Sequence, residues 1–191
     1  MFSTQLFQSE QLLLEPYDPE KDAKVEAEFT RRWEYAWGLD FNGEPHPLSA
    51  YQIKKKREEQ LKSSDESGEA FFYAVRARDD QRLIGVLGMP WVSWSNRLAW
   101  MYILIGSEQD IPVFLPEALE MAMRIVFEEL DMNFLVMSSG EFAPVTLNLL
   151  LASGLKIQVR QRKYVFCHSR FWDRLLLGMS QTEWKSLRRE N

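Results

Sequence analysis

Few side chains in this 191-residue sequence combine the type and the spacing that chemistry needs. Cys167 and His168 pair a thiol with an imidazole. Adjacent strand residues point to opposite faces, so such a pair does not make a nucleophile with its base. His46 stands between Pro45 and Pro47, in a stretch that reads as an exposed loop. There is no C-x-x-C, no H-E-x-x-H and no cluster of ligand types, so no metal site is expected. Walker and G-x-G-x-x-G loops are also missing from the sequence. The basic run Lys54–Arg57 is followed by Glu58 and Glu59, which reads as a solvated helix face rather than a nucleic-acid contact. The stretch that poses a question is GSEQDIPVFLPEALEMA, residues 106–122. It reads as a strand end, a loop and a helix start, where many α/β proteins hold a phosphate on bare backbone. Between Gly106 and the helix it has no glycine.

The elements around these residues follow from apolar periodicity. QLLLE, 11–15, is a strand ended by Pro16. A first helix is capped by Asp22 and carries Val25, Phe29, Trp33 and Trp37 at helical spacing. Residues 38–47 read as a loop, and Ser49 caps a second helix that gives way to a polar, mobile loop at 63–69. Residues 70–78, 83–94 and 97–105 make a three-stranded antiparallel meander, bulged around Gly88–Pro90. An apolar helix then runs from Pro116, which fits its first turn. A buried strand at 133–139 completes a right-handed crossover and lies parallel to 97–105. The next helix, 145–152, stops at Ser153–Gly154. Two strands follow at 156–160 and 162–168, and the tail, 171–187, reads as helical or irregular.

This order resembles the GNAT acetyltransferase fold, and more narrowly the branch of the ribosomal-protein alanine acetyltransferases. QLLLEPYDPEKD (11–22) is similar to that branch's opening strand and turn. Glu117-Ala118-Leu119 resembles the E-A-L that begins its main helix, LASGL (151–155) the close of the next helix, and Asp173 with Glu183-Trp184 the ending. The resemblance implies one domain over 1–191 in the α/β (α+β) class. The expected sheet is mixed, mostly antiparallel and twisted, with helices on both faces and a splay between its fourth and fifth strands. It also implies acetyl-CoA (CoA) as the acyl donor and an amine of a small molecule or a peptide N-terminus as acceptor. On the family pattern Ile103, Leu104, Ile105, Ile111, Val113, Phe114, Leu115, Glu117 and Thr146 are the expected cofactor contacts. Tyr102 and Tyr164 are the candidate catalytic side chains. Trp33, Trp37, Trp91 and Trp94 are candidate walls of the acceptor pocket, with core packing the competing use of each.

The chain departs from that pattern at several points. Counting back from Glu117, Asp110 stands where Gln or Arg is usual, Val113 replaces the first glycine and Leu115 the second small residue, and Pro112 removes an N–H donor. Asp110 adds negative charge beside an anion site, a repulsion of about 1 kcal/mol at a partly screened position, or roughly fivefold in affinity. Ala143 replaces the usual Asn, Leu150 stands where some members place a catalytic Tyr, and 97–106 carries no acid. These departures support an alternative: a non-catalytic GNAT-fold protein that binds another ligand or a protein.

Composition bounds the rest. At 46% hydrophobic the chain can bury a full core, while a net charge of −5 and a pI near 5.2 give no reason to expect a nucleic-acid partner. One cysteine excludes an internal disulfide and suits a reducing compartment. The first sixteen residues do not read as a signal peptide, and no run reaches the roughly 18 apolar residues of a membrane span. A soluble, cytoplasmic protein without a membrane partner is expected, as monomer or homodimer, since surplus aromatics serve a dimer face as readily as a pocket.

Overall fold

A computed structural model describes residues 6–39 and 45–190. Part of the expected 38–47 loop, and the first five residues of the N-terminal segment, lie outside the described residues. One seven-stranded sheet runs in the order β1-β2-β3-β4-β5-β7-β6. Its strands are β1 (Leu12–Pro16), β2 (Phe71–Ala77), β3 (Leu83–Ser93), β4 (Leu98–Ile105), β5 (Phe134–Gly140), β6 (Lys156–Cys167) and β7 (Arg170–Ser180). All neighbours are antiparallel except β4 and β5. The expected fold class, meander, bulge and parallel crossover are all present.

Helices α1 (Pro19–Phe29), α2 (Trp33–Leu39) and α3 (Ala50–Ser67) precede β2, while α4 (Ile111–Arg124), α5 (Pro144–Ala152) and α6 (Gln181–Glu190) follow β4, β5 and β7. Two hydrophobic clusters occupy different parts of the molecule. Leu115, Ala118, Leu119 and Ala122 of α4 pack with Met101, Ile103, Ile105, Leu135 and Leu177. Ala23, Ala27, Tyr35 and Ile53 of the first three helices pack with Ala74, Val86 and Tyr102. Tyr102 and Ile103 sit in different clusters because successive strand residues alternate between faces.

Five local expectations are corrected. The first helix is capped by Asp18, which accepts from the N–H of Glu20 and Lys21, while Asp22 is buried against Arg76 at 2.7 Å. That helix is two: Thr30 caps α1, with its hydroxyl donating to Ala27 O at 2.7 Å and accepting from Leu48 N at 2.8 Å, and α2 restarts at Trp33. The polar stretch 63–67 continues α3, which ends on Gly68 at φ +64°. The two strands expected at 156–168 are one bulged strand, β6, and the tail expected to be helical or irregular is strand β7 as far as Ser180 and helix α6 only after it. β7 lies between β5 and β6, so Leu175–Leu177 is a near-continuous apolar run without alternation, and Trp172, Leu175 and Leu176 mimic helical spacing.

Candidate active site

β4 and β5 pair over only four residues each, Leu98–Met101 against Phe134–Met137. Beyond Met101, β4 stays with β3 as far as Gly85↔Ile105, while β5 follows β7 through Ser138, Ser139 and Gly140. The two strands therefore part, and a cleft of about 640 Å³, counting its open mouth, lies between them. Gly106 donates to Ile84 O at 2.8 Å, so the even-numbered residues of β4 direct their backbone groups to β3. By alternation, Ile103 and Ile105 direct theirs to the side that β5 has left. Arg32 takes Ile105 O and Gly106 O, each at 3.0 Å.

α2 closes one side of the cleft. A Cβ at Gly38 would lie 2.3 Å from Leu104 Cδ2, so any larger residue there would push the Leu104 side chain aside. Trp37 meets Phe142, just beyond β5, edge to face at 4.9 Å between ring centroids, and Trp33 meets the same ring at 4.6 Å. This aromatic cluster, with Val165 and Cys167 of β6, ties the two arms of the cleft together. Glu34, also lining the cleft, is paired with Arg32 at 2.8 Å.

Behind this wall lies a buried polar network. Glu26, fully buried on α1, forms an ion pair with Arg57 of α3, whose Nε donates to Glu26 Oε2 at 3.0 Å. Arg57 Nη1 donates to the Tyr102 hydroxyl at 3.0 Å and to Gln60 Oε1 at 2.8 Å. The Tyr35 hydroxyl donates to Glu26 Oε1 at 3.0 Å. Burial alone would lower the pKa of Arg57, but Tyr102 and Glu26 outweigh it and hold the guanidinium well above its ordinary value. Burial, followed by the Glu26 charge, raises the phenol of Tyr35 well above its usual range. Tyr35 and Tyr102 both line the cleft.

At the other end α4 begins earlier than expected. Pro112 occupies its first turn and Pro116 lies inside it. Val113 and Leu115 are therefore helical rather than loop residues. Phe114 N already donates to Asp110 O at 2.9 Å. With Pro112 lacking a donor, the N–H groups of Ile111 and Val113 are the ones left outside the helical ladder. The Asp110 carboxylate makes no cap; it is gripped by Arg82 at 2.8 and 3.1 Å, so its charge is compensated rather than left facing an anion. Ile111 and Leu115 are buried and line the cleft, while Val113 is half-exposed.

The expected site residues are thus partly gathered. Tyr102, Ile103, Leu104, Ile105, Ile111, Leu115, Thr146 and Trp37 line the cleft, with Ala143 and Leu150. Trp33 stands behind Phe142. Phe114 carries the Arg82 guanidinium over its ring at 5.6 Å. Glu117 points elsewhere: it accepts from Gln11 N at 3.0 Å and lines a separate surface pocket beside the N-terminal segment. Tyr164 lies on edge strand β6 outside the cleft, under the Arg174 guanidinium at 5.1 Å. Trp91 and Trp94 are half-exposed at the far end of β3. His168 sits at the β6–β7 turn with φ +49°, and burial raises the neighbouring Cys167 thiol, leaving no thiol–imidazole couple. Arg32, Glu34, Tyr35, Glu26 and Arg57 were not anticipated. Glu26 and Arg57 sit on helix faces that a sequence shows as ordinary charged surface, and only tertiary packing buries them. Among the described residues no His/Cys/Asp/Glu group could hold a metal ion, and no helix is long and apolar enough to cross a membrane.

The sequence profile of the Acetyltransferase (GNAT) domain matches residues 11–142. The chain belongs to the GNAT acetyltransferase family. Among solved structures, spermidine N-acetyltransferase from Vibrio cholerae, in complex with CoA and spermine, superimposes with a TM-score of 0.75 at 16% identity, covering 93% of this chain and 99% of that one. A GNAT-family acetyltransferase from Bacillus anthracis gives 0.73 at 10% identity, over 92% and 98%. A Vibrio cholerae protein assigned as a ribosomal-protein-serine acetyltransferase gives 0.69 at 15% identity, over 91% and 96%. At such identities the likeness is one of fold. No curated protein matches the chain.

Proposed function

We propose that the chain transfers an acetyl group from acetyl-CoA to an amine of a small molecule or of a protein N-terminus. The observation that carries this reading is the parting of β4 from β5 immediately after Met101. It directs unpaired backbone of Ile103 into a cleft lined by Leu104, Thr146 and Ser139. A thioester lying there would be polarised by a backbone N–H, which no side-chain substitution removes. Glu34, paired with Arg32, is the one carboxylate among the described cleft residues, and on this reading it receives the incoming ammonium. It takes the acceptor's proton, directly or through water. The freed amine attacks the thioester carbonyl, the C–N bond forms, the C–S bond breaks, and the Tyr102 hydroxyl protonates the departing thiolate; the proton shed by the new amide nitrogen restores the Tyr102 phenol, and Glu34 returns its proton to solvent. The N–H groups of Ile111 and Val113, at the start of α4, serve the pyrophosphate in place of a glycine loop.

One observation favours a second reading, a non-catalytic protein that uses the cleft for another ligand. Leu115 is buried in the cleft where a small side chain is usual, and Leu150 and Ala143 line it without proton-handling groups. Incubation with acetyl-CoA and separate acceptors decides between the two: phenethylamine, spermidine, and peptides beginning with alanine or serine. An N-acetylated product identified by mass, with one CoA thiol released per product, supports the transferase. No product from any acceptor, together with no saturable CoA binding, supports the second reading.

A further inference from the structure

Resting on the transferase reading, we infer that the buried Glu26–Arg57 ion pair is a positioning device that aims the hydroxyl proton of Tyr102 into the cleft. Tyr102 is the first β4 residue past the pairing with β5, and its ring lies directly on Gly88. A Cβ there would fall 2.3 to 2.6 Å from Tyr102 Cζ, Oη and Cε1. The ring is thus fixed from the sheet side. Its oxygen is fixed from the helix side, because Arg57 Nη1 donates to it at 3.0 Å. A guanidinium has only donors, so it occupies a lone pair of the phenol oxygen and cannot receive the phenol hydrogen. That hydrogen is therefore free to turn toward the cleft that Tyr102 lines, where the transferase reading puts the thioester.

Arg57 is itself fixed by a carboxylate with no exposed surface, and Glu26 in turn holds the second cleft tyrosine, Tyr35, at 3.0 Å. One ion pair therefore sets two of the phenols that line the cleft. Neither Glu26 nor Arg57 lines it. They are positioning residues, acting through Tyr102.

The test is a cycle of steady-state kinetics with acetyl-CoA and whichever of the four acceptors named above turns over fastest, with acetyl-CoA affinity measured by calorimetry on every variant. Tyr102→Phe, the paired change Glu26→Gln with Arg57→Met, and the combination of all three are compared. Removing both charges together avoids leaving either one buried alone. The expected result is a kcat loss of about 100-fold for Tyr102→Phe, the scale of a positioned proton donor. The paired change alone loses about as much, the combination loses no more, and acetyl-CoA affinity stays within about twofold throughout. Independent losses that multiply, or an unchanged kcat in the paired variant, overturn the inference. Should the paired variant not fold, Arg57→Lys carries the test, because an ammonium at that depth cannot keep the guanidinium's contacts to Glu26 and Tyr102 together. A kcat that survives Arg57→Lys overturns the inference. Absence of product with all four acceptors in the wild-type chain, with acetyl-CoA bound, removes the transferase reading and this inference with it, a result distinct from any variant effect.

Discussion

The two ends of the cleft are built by opposite means. The α2 side rests on charge: an ion pair under Tyr102 and Tyr35, and the Arg32–Glu34 pair at the mouth. The α4 side rests on apolar bulk: Ile111 and Leu115 facing inward, a proline in the first turn, and a helix start with no side-chain cap. A phosphate loop normally concentrates donors by removing side chains. Here the donors are few, and the carboxylate of Asp110, the residue before the helix, is neutralised by Arg82 instead of being absent. The α2 end, the acceptor side on the proposed reading, therefore has the more specified geometry, while the α4 end, proposed for the acyl donor, keeps little beyond strand backbone and a helix terminus.

The contrast can be broken at its strongest point first. Arg57→Met leaves Glu26 charged and unpaired in the interior, an expected loss of about 3–5 kcal/mol, read as a fall in the denaturation midpoint. A loss below about 1 kcal/mol would show the network to be wetter and weaker than its burial implies. Leu115→Ala comes next. Deleting a buried leucine costs about 2–4 kcal/mol, yet it widens the donor end, so affinity for CoA is expected to rise several-fold while stability falls. Stability and affinity falling together would mean that Leu115 supports the site instead of narrowing it. The smallest effect is expected from Arg82→Ala. The pair is partly exposed, so stability changes by less than about 1 kcal/mol. Asp110 is then uncompensated beside the phosphate position, and CoA affinity drops roughly fivefold at low ionic strength, recovering in salt as the charge is screened. A salt-insensitive drop would place Arg82 in direct packing contact with the ligand.

The same contrast explains what the sequence could and could not reveal. Meander, crossover and α4 are legible because apolar periodicity and turn residues are local. Tyr102, Ile103, Ile105 and Leu115 reach the cleft because strand and helix order dictate it. β7 hides because a strand covered on both sides loses its alternation, and Leu175–Leu177 then reads as helix or strand alike. Thr30 splits α1 from α2 through contacts to Ala27 and Leu48, the second of them eighteen residues away. Glu26 and Arg57 are thirty-one residues apart and look solvated until two helices fold onto the sheet. Asp110 reads as a repulsive charge until Arg82, twenty-eight residues back, meets it. Periodicity conveys the elements; it does not convey which distant charges they bring together.

The most direct measurement is titration calorimetry of the folded chain, freed of co-purified CoA, with acetyl-CoA and with CoA. Saturable binding in the micromolar range is the predicted result, since the opened strands and the start of α4 still offer backbone donors. No detectable heat up to millimolar ligand would contradict the account and leave the cleft to a different occupant.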